Sequence, residues 1–128
     1  MSQDDKLLWW IGGIAAAYIL AERRTQKKPA LIFVEGKPLG FRAITVPPVG
    51  ILVSKQYAHE PDILEHELEH WRQAQRLGVI GFYASYLSEL LTQGYPCMPM
   101  EVQARQAAYE ATGVKHPIYG IQPNVCTR

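Results

Sequence analysis

Three glycines, Gly78, Gly94 and Gly113, and two prolines, Pro61 and Pro99, divide the second half of this chain into helical lengths. Proline suits the first helical position, where its missing N–H costs nothing, and glycine suits the position just past the last turn. The spacing predicts a helix from Pro61 to Gly78, a second from about Val79 to Gln93, and a third from Pro99 to Gly113. Ahead of them stand three short β-prone runs: Ala30–Val34, Leu39–Val46 and Gly50–Ser54. Glu35-Gly36-Lys37-Pro38 and Pro47-Pro48 separate these runs with turn chemistry, so a small antiparallel meander is expected. At 128 residues the chain is long enough for a single core. The fold class is α+β: an N-terminal hydrophobic helix, the meander, then three helices. The tail from Val114 to Arg128 reads as irregular.

The N-terminus is a separate unit of composition. Leu7–Ala21 is fifteen residues without a charge, preceded by Asp4-Asp5-Lys6 and followed by a basic run that includes Arg23, Arg24, Lys27 and Lys28. A bilayer core takes about 20 apolar residues; Trp9, Trp10 and Tyr18 at the interfaces, with Lys6 and Arg23 snorkelling, close part of that gap. We expect a single-pass membrane anchor over residues 7–21, in preference to a signal peptide or a buried docking helix. The basic residues after it place the following domain in the cytoplasm by the positive-inside rule. Gly12, Gly13, Ala16 and Ala17 form small-xxx-small pairs suited to self-association. Residues 1–28 are thus read as anchor and basic linker, and residues 29–128 as the metal-binding domain. A net charge of +1 gives no basis for a nucleic-acid partner. The two cysteines, Cys97 and Cys126, fit either free thiols or one pair.

The chemistry lies in the first of the three helices, in His66-Glu67-Leu68-Glu69-His70. Residues four apart on a helix are neighbours, so both imidazoles can reach one zinc ion, and Glu67 stands one step round from His66. The metal lowers the pKa of a bound water and the glutamate takes its proton, which is why the spacing His-Glu-x-x-His recurs. A solvated face built from Glu65, Glu67, Glu69, Arg72 and Arg76 is the bland alternative.

A catalytic zinc keeps three protein ligands and one open position. The chain has no aspartate after Asp62, and Gln73 and Arg76 occupy the positions where a metzincin would have its glycine and third histidine. Glu89, Glu101, Glu110 and His116 remain. Glu101, in the first turn of a proline-started helix, is the preferred ligand, with His116 next; Glu89 is a candidate partner for a ligand histidine.

The stretch "LEHELEHWRQAQRLG…FYASYLSELL…GYPCMPMEVQARQAAY" resembles the glutamate zincins, and more narrowly small bacterial and phage proteins with a minimal zincin domain. The resemblance covers roughly residues 51–109. It implies zinc as cofactor, His66, His70 and Glu101 as ligands, and Glu67 as catalytic base. Larger members carry an aspartate four residues after the ligand glutamate; here that residue is Arg105.

Tyr83, Tyr86, Tyr95, His59 and Arg105 are candidates by type for stabilising an oxyanion. Gln73 shares the histidine face and can bond a ligand or substrate. Cys97 could approach the metal as a thiolate. Phe82, Tyr83, Tyr86, Leu87, Leu90 and Leu91 make two apolar stripes expected in the core, and the resemblance to zincins implies that Ile51–Ser54 flanks the cleft and aligns an extended peptide. The reading is a membrane-tethered zinc metallopeptidase acting on a peptide or protein. Its alternatives are a non-catalytic membrane or virion component with a stabilising zinc, and a hydrolase of other amides.

Overall fold

The computed structural model describes residues 1–115; His116, Cys126 and the rest of the tail lie outside the described residues. Helix α1 (Gln3–Thr25) begins at a reciprocal cap in which Ser2 Oγ accepts from the Asp5 N–H at 3.1 Å and the Ser2 N–H donates to Asp5 Oδ2 at 3.0 Å. Strands β1 (Leu31–Val34), β2 (Ala43–Val46) and β3 (Gly50–Ser54) follow. Then come α2 (Pro61–Leu77), α3 (Val79–Gln93) and α4 (Pro99–Thr112). Pro61 and Pro99 stand in the first turns of α2 and α4, and Gly78, Gly94 and Gly113 are the residues that end each helix. Gly78, at φ 78°, makes the turn from α2 into α3 without an intervening loop, a conformation that costs a residue with a Cβ.

The expected antiparallel meander is corrected. The sheet is mixed, in the order β1-β3-β2. Strand β3 pairs in parallel with β1 (Leu31 opposite Ile51) and antiparallel with β2 (Ala43 opposite Val53). The physical reason is the link between β1 and β2, where Pro38–Gly40 form a 3-10 turn with Leu39 at φ 51°. This turn consumes the first residues of the expected second strand, and the link carries the chain across to the far side of β3. In consequence β3 is the central strand, and β2 is an edge. Gly50 allows the close approach of β3 to the chain entering β1, since a Cβ there would run into the Ala30 carbonyl.

Ala43, Ile51, Val53 and Ile63 join the sheet to α2, with Leu68 and Tyr57 packed around them. Ala74, Phe82 and Met100 join α2, α3 and α4. Helix α2 is the centre of the molecule, touching β2, α3 and above all α4; its Trp71 is 2 % exposed.

Helix α1 runs on into the expected linker, and its end is tied down. Trp71 Nε1 donates to the Lys27 carbonyl at 2.9 Å, Gln75 Nε2 donates to the Thr25 carbonyl at 3.1 Å, and Glu22 Oε1 accepts from the Val79 N–H at 2.6 Å. Beyond that junction α1 stands clear of the domain with Leu7 to Ile11, Ile14, Tyr18, Ile19 and Leu20 exposed. No helix among the described residues is long and apolar enough to cross a membrane. The uncharged run of α1 is about 22 Å long at 1.5 Å per residue, against a hydrocarbon core of about 30 Å.

A second correction concerns α3. Of the residues expected in the core, Phe82 is buried and Tyr86 packs beside it, whereas Tyr83, Leu87, Leu90 and Leu91 are exposed. Helices α2 and α4 cover one side of α3 and leave the other open.

Candidate metal centre

One turn of α2 separates His66 from His70, and their rings lie 4.9 Å apart, edge to face. Glu101 comes to them from the first turn of α4. Its Oε2 is 2.9 Å from His66 Nε2 and its Oε1 is 3.1 Å from His70 Nε2, while the two Nε2 atoms are 3.2 Å apart. A tetrahedral zinc with ligand distances of about 2.0–2.1 Å holds its donor atoms about 3.3–3.4 Å apart. With one ligand atom from each residue, the three donors lie within 4.8 Å of one another, a grouping that could hold a metal ion.

The tautomer of His70 is set from behind. Gln73 donates through Nε2 to the Met100 carbonyl at 2.9 Å and to Gln103 Oε1 at 3.2 Å. Its Oε1 is left to accept from His70 Nδ1 at 2.8 Å. In the neutral ring the hydrogen thus resides on Nδ1, leaving the Nε2 lone pair to face Glu101 and His66. Two imidazole Nε2 atoms and a carboxylate facing one another need a hydrogen or a cation among them, supplied by a ring N–H of His66, an added proton or a metal.

The electrostatics carry the same message. Burial disfavours a charged His70, but the hydrogen bond and charge of Glu101, with Glu67 and Gln73 adding, push its pKa up from 6.5 to about 9. Burial works against an ionised Glu101 as well, and the hydrogen bonds and charges of His66 and His70 outweigh it, holding the carboxyl well below its usual range. Tyr86 donates to Glu101 Oε1 at 2.8 Å; burial, then the neighbouring Glu101 charge, raises its hydroxyl above the ordinary phenol value. The Tyr86 phenol therefore stays neutral as a donor that steadies the carboxylate.

Glu89 holds a different part of the site from the one expected. Instead of contacting a histidine, its Oε1 accepts from the Met100 N–H at 2.8 Å. That bond satisfies a backbone donor at the start of α4, fixing the turn that carries Glu101.

The side chains of His70 and Glu101 are 5 % and 3 % exposed and that of His66 is 20 % exposed, so the cluster opens on the His66 side. There a cleft of about 400 Å³ is lined by His66 and Glu67 from α2, by Phe41 and Ala43 at the start of β2, and by Tyr95 and Arg105 from the α4 side. Phe41 and Tyr95 approach to 6.5 Å between ring centroids. Glu67 is held by β2: Thr45 Oγ1 lies 2.6 Å from Glu67 Oε2 and 2.9 Å from the Glu67 carbonyl oxygen. The edge strand beside the cleft is consequently β2, not the Ile51–Ser54 segment that the resemblance implied.

Sequence reasoning overlooked Thr45 and Phe41. The inward alternation of Ala43 and Thr45 along β2 is the signal that could have drawn attention to Thr45; Phe41 had none. The other candidates have these places. His59 is exposed and does not line the cleft. Tyr83 donates to the Pro47 carbonyl, and Glu110 accepts from Gln106 Nε2. Arg105 donates to the Pro96 carbonyl as well as lining the cleft. Cys97 is disulfide-bonded and so offers no thiolate to a metal. His116 lies outside the described residues.

No family model, no curated protein and no solved structure matches this chain.

Proposed function

We propose that this chain is a zinc-dependent peptidase, with His66, His70 and Glu101 as metal ligands and Glu67 as the general base. The observation that carries this reading is the convergence of His66 Nε2, His70 Nε2 and the Glu101 carboxylate to within 3.2 Å of one another, with Glu67 beside them on the cleft wall. Zinc bound there would lower the pKa of a coordinated water and polarise a substrate carbonyl. The chain's own residues supply the rest. Glu67 takes a proton from water and passes it to the leaving amine, while Thr45 holds its carboxylate in place. Gln73 keeps His70 in the ligating tautomer, and Tyr86 and Glu89 aim Glu101. The cleft bordered by Phe41, Ala43 and Tyr95 receives the substrate.

Three ligands among the described residues are the number a catalytic zinc keeps, and a fourth ligand from the chain would instead make the closed, structural site of the rival reading. The test is a peptide-library digest with the zinc-loaded protein and with Glu67→Gln. The wild type should cleave, and the variant should bind zinc equally and lose at least a hundredfold in rate. Cleavage at the wild-type rate by Glu67→Gln would remove the mechanism, and a wild type that binds zinc and cleaves no peptide would remove the activity.

A further inference from the structure

Helix α3 has two faces of opposite use. Phe82, Tyr86 and Glu89 point inward, to the core, to Glu101 and to the Met100 N–H respectively. At 100° per residue, Ile80, Ala84, Leu87 and Leu91 project from the opposite side, and Ile80, Leu87 and Leu91 are 65 %, 55 % and 76 % exposed. Glu89 is the one charged residue between Val79 and Gln93, and it faces inward. A surface helix in water carries charge on its outer face; this one carries an aliphatic stripe.

The stripe adjoins a second uncovered surface. The junction of Glu22 with Val79 joins the end of α1 to the start of α3. The exposed side chains of α1, from Leu7 to Leu20, are distributed around the whole helix axis. A partner helix would cover one side of such a surface, whereas lipid covers every side. Trp9, Trp10 and Tyr18 are the amphipathic aromatics that favour an interface. Exposed Arg23, Lys27 and Lys28 follow in sequence on Glu22, the residue that joins the two helices, and are complementary in charge to anionic headgroups.

We infer that the outer face of α3 and the apolar length of α1 form one lipid-contacting surface for an anionic bilayer. Helix α1 embeds without crossing, and α3 lies along the interface. The domain is then held on the membrane through two helices instead of hanging from one. Because Tyr86, which bonds Glu101, and Leu87 are adjacent on α3, the His66–His70–Glu101 group stands one helix diameter, about 10 Å, from the lipid.

The test is flotation of the full chain with phosphatidylcholine vesicles, with and without phosphatidylglycerol. The wild type should partition onto the phosphatidylglycerol vesicles. Leu87→Asp/Leu91→Asp, with α1 intact, should lower the partition at least tenfold relative to a charge-matched control on other exposed positions, Gln56→Asp/Ala111→Asp. Leu87→Gln/Leu91→Gln should fall in the same direction without a charge change, and circular dichroism identifies any variant that has lost its fold. Equal partition of the α3 variants and their controls would overturn the inference, as would binding indifferent to phosphatidylglycerol. A soluble wild-type dimer that ignores vesicles and is split by the α3 variants would overturn it in favour of a second copy. Vesicle binding is read without metal or substrate, so its failure is separate from a failure of the peptidase reading.

Discussion

Replacing Gln73 by leucine tests how the site prepares its ligand. Leucine fills a similar volume but removes the acceptor 2.8 Å from His70 Nδ1 and the donor 2.9 Å from the Met100 carbonyl. His70 and Gln73 are 4 % and 2 % exposed, so water cannot readily replace the lost partner. A buried donor left unpaired costs about 1–3 kcal/mol. In the metal-loaded state the same loss frees the ring to adopt the other tautomer, and loss of such a partner typically weakens metal binding by about 10–100-fold. Zinc affinity measured by competition with a chromophoric chelator should therefore fall about 10–100-fold in Gln73→Leu. Gln73→Glu, which keeps an acceptor facing His70 Nδ1, should recover most of the loss. Gln103→Ala, which removes only the outer partner of the Gln73 amide, should leave affinity within a few-fold of wild type. Unchanged affinity in Gln73→Leu, or an equal loss in Gln73→Glu, would refute the tautomer argument.

Two further outcomes follow from the same geometry. Tyr86→Phe removes the hydroxyl that donates to Glu101 Oε1 at 2.8 Å and should weaken zinc binding by about tenfold, at the low end of the effect of losing a ligand's partner, while thermal unfolding stays cooperative; a tighter-binding variant would count against the role given to Tyr86. In the metal-free protein the folded-state pKa of His70 is raised from 6.5 to about 9, so its contribution to stability is complete below about pH 6.5 and disappears as pH rises through about 9. Denaturant midpoints in chelator should fall across that window, apparent zinc affinity should rise across it as the competing proton leaves, and opposite slopes would contradict the assignment.

The parts of this structure that were legible from sequence are those decided locally. Pro61, Pro99 and the three glycines act on their own stretch of backbone, and the helices begin and end where those residues stand. The meeting of His66, His70 and Glu101 could be anticipated because helical spacing aligns the histidines and because a limited set of downstream acids could join them. The sheet could not be read in this way. Whether β1 pairs with β2 or β3 depends on how an eight-residue link crosses the sheet, and strand composition is silent on that. Gln73 could be placed on the histidine face, but its orientation depends on the Met100 carbonyl from another helix. Glu89 offered a carboxylate beside the site, and only the packing of α3 on α4 directs it to the Met100 N–H. The outer stripe of α3 looks like a core stripe in sequence because both are apolar; which one is covered is a tertiary fact.

The most direct test of the central claim is the zinc content of the full chain purified without added metal, measured beside Glu101→Ala. The account predicts one zinc per chain in the wild type and a large loss in the variant. Folded wild-type protein that takes up no zinc when the metal is offered would contradict it, and so would a variant that retains its zinc at wild-type affinity.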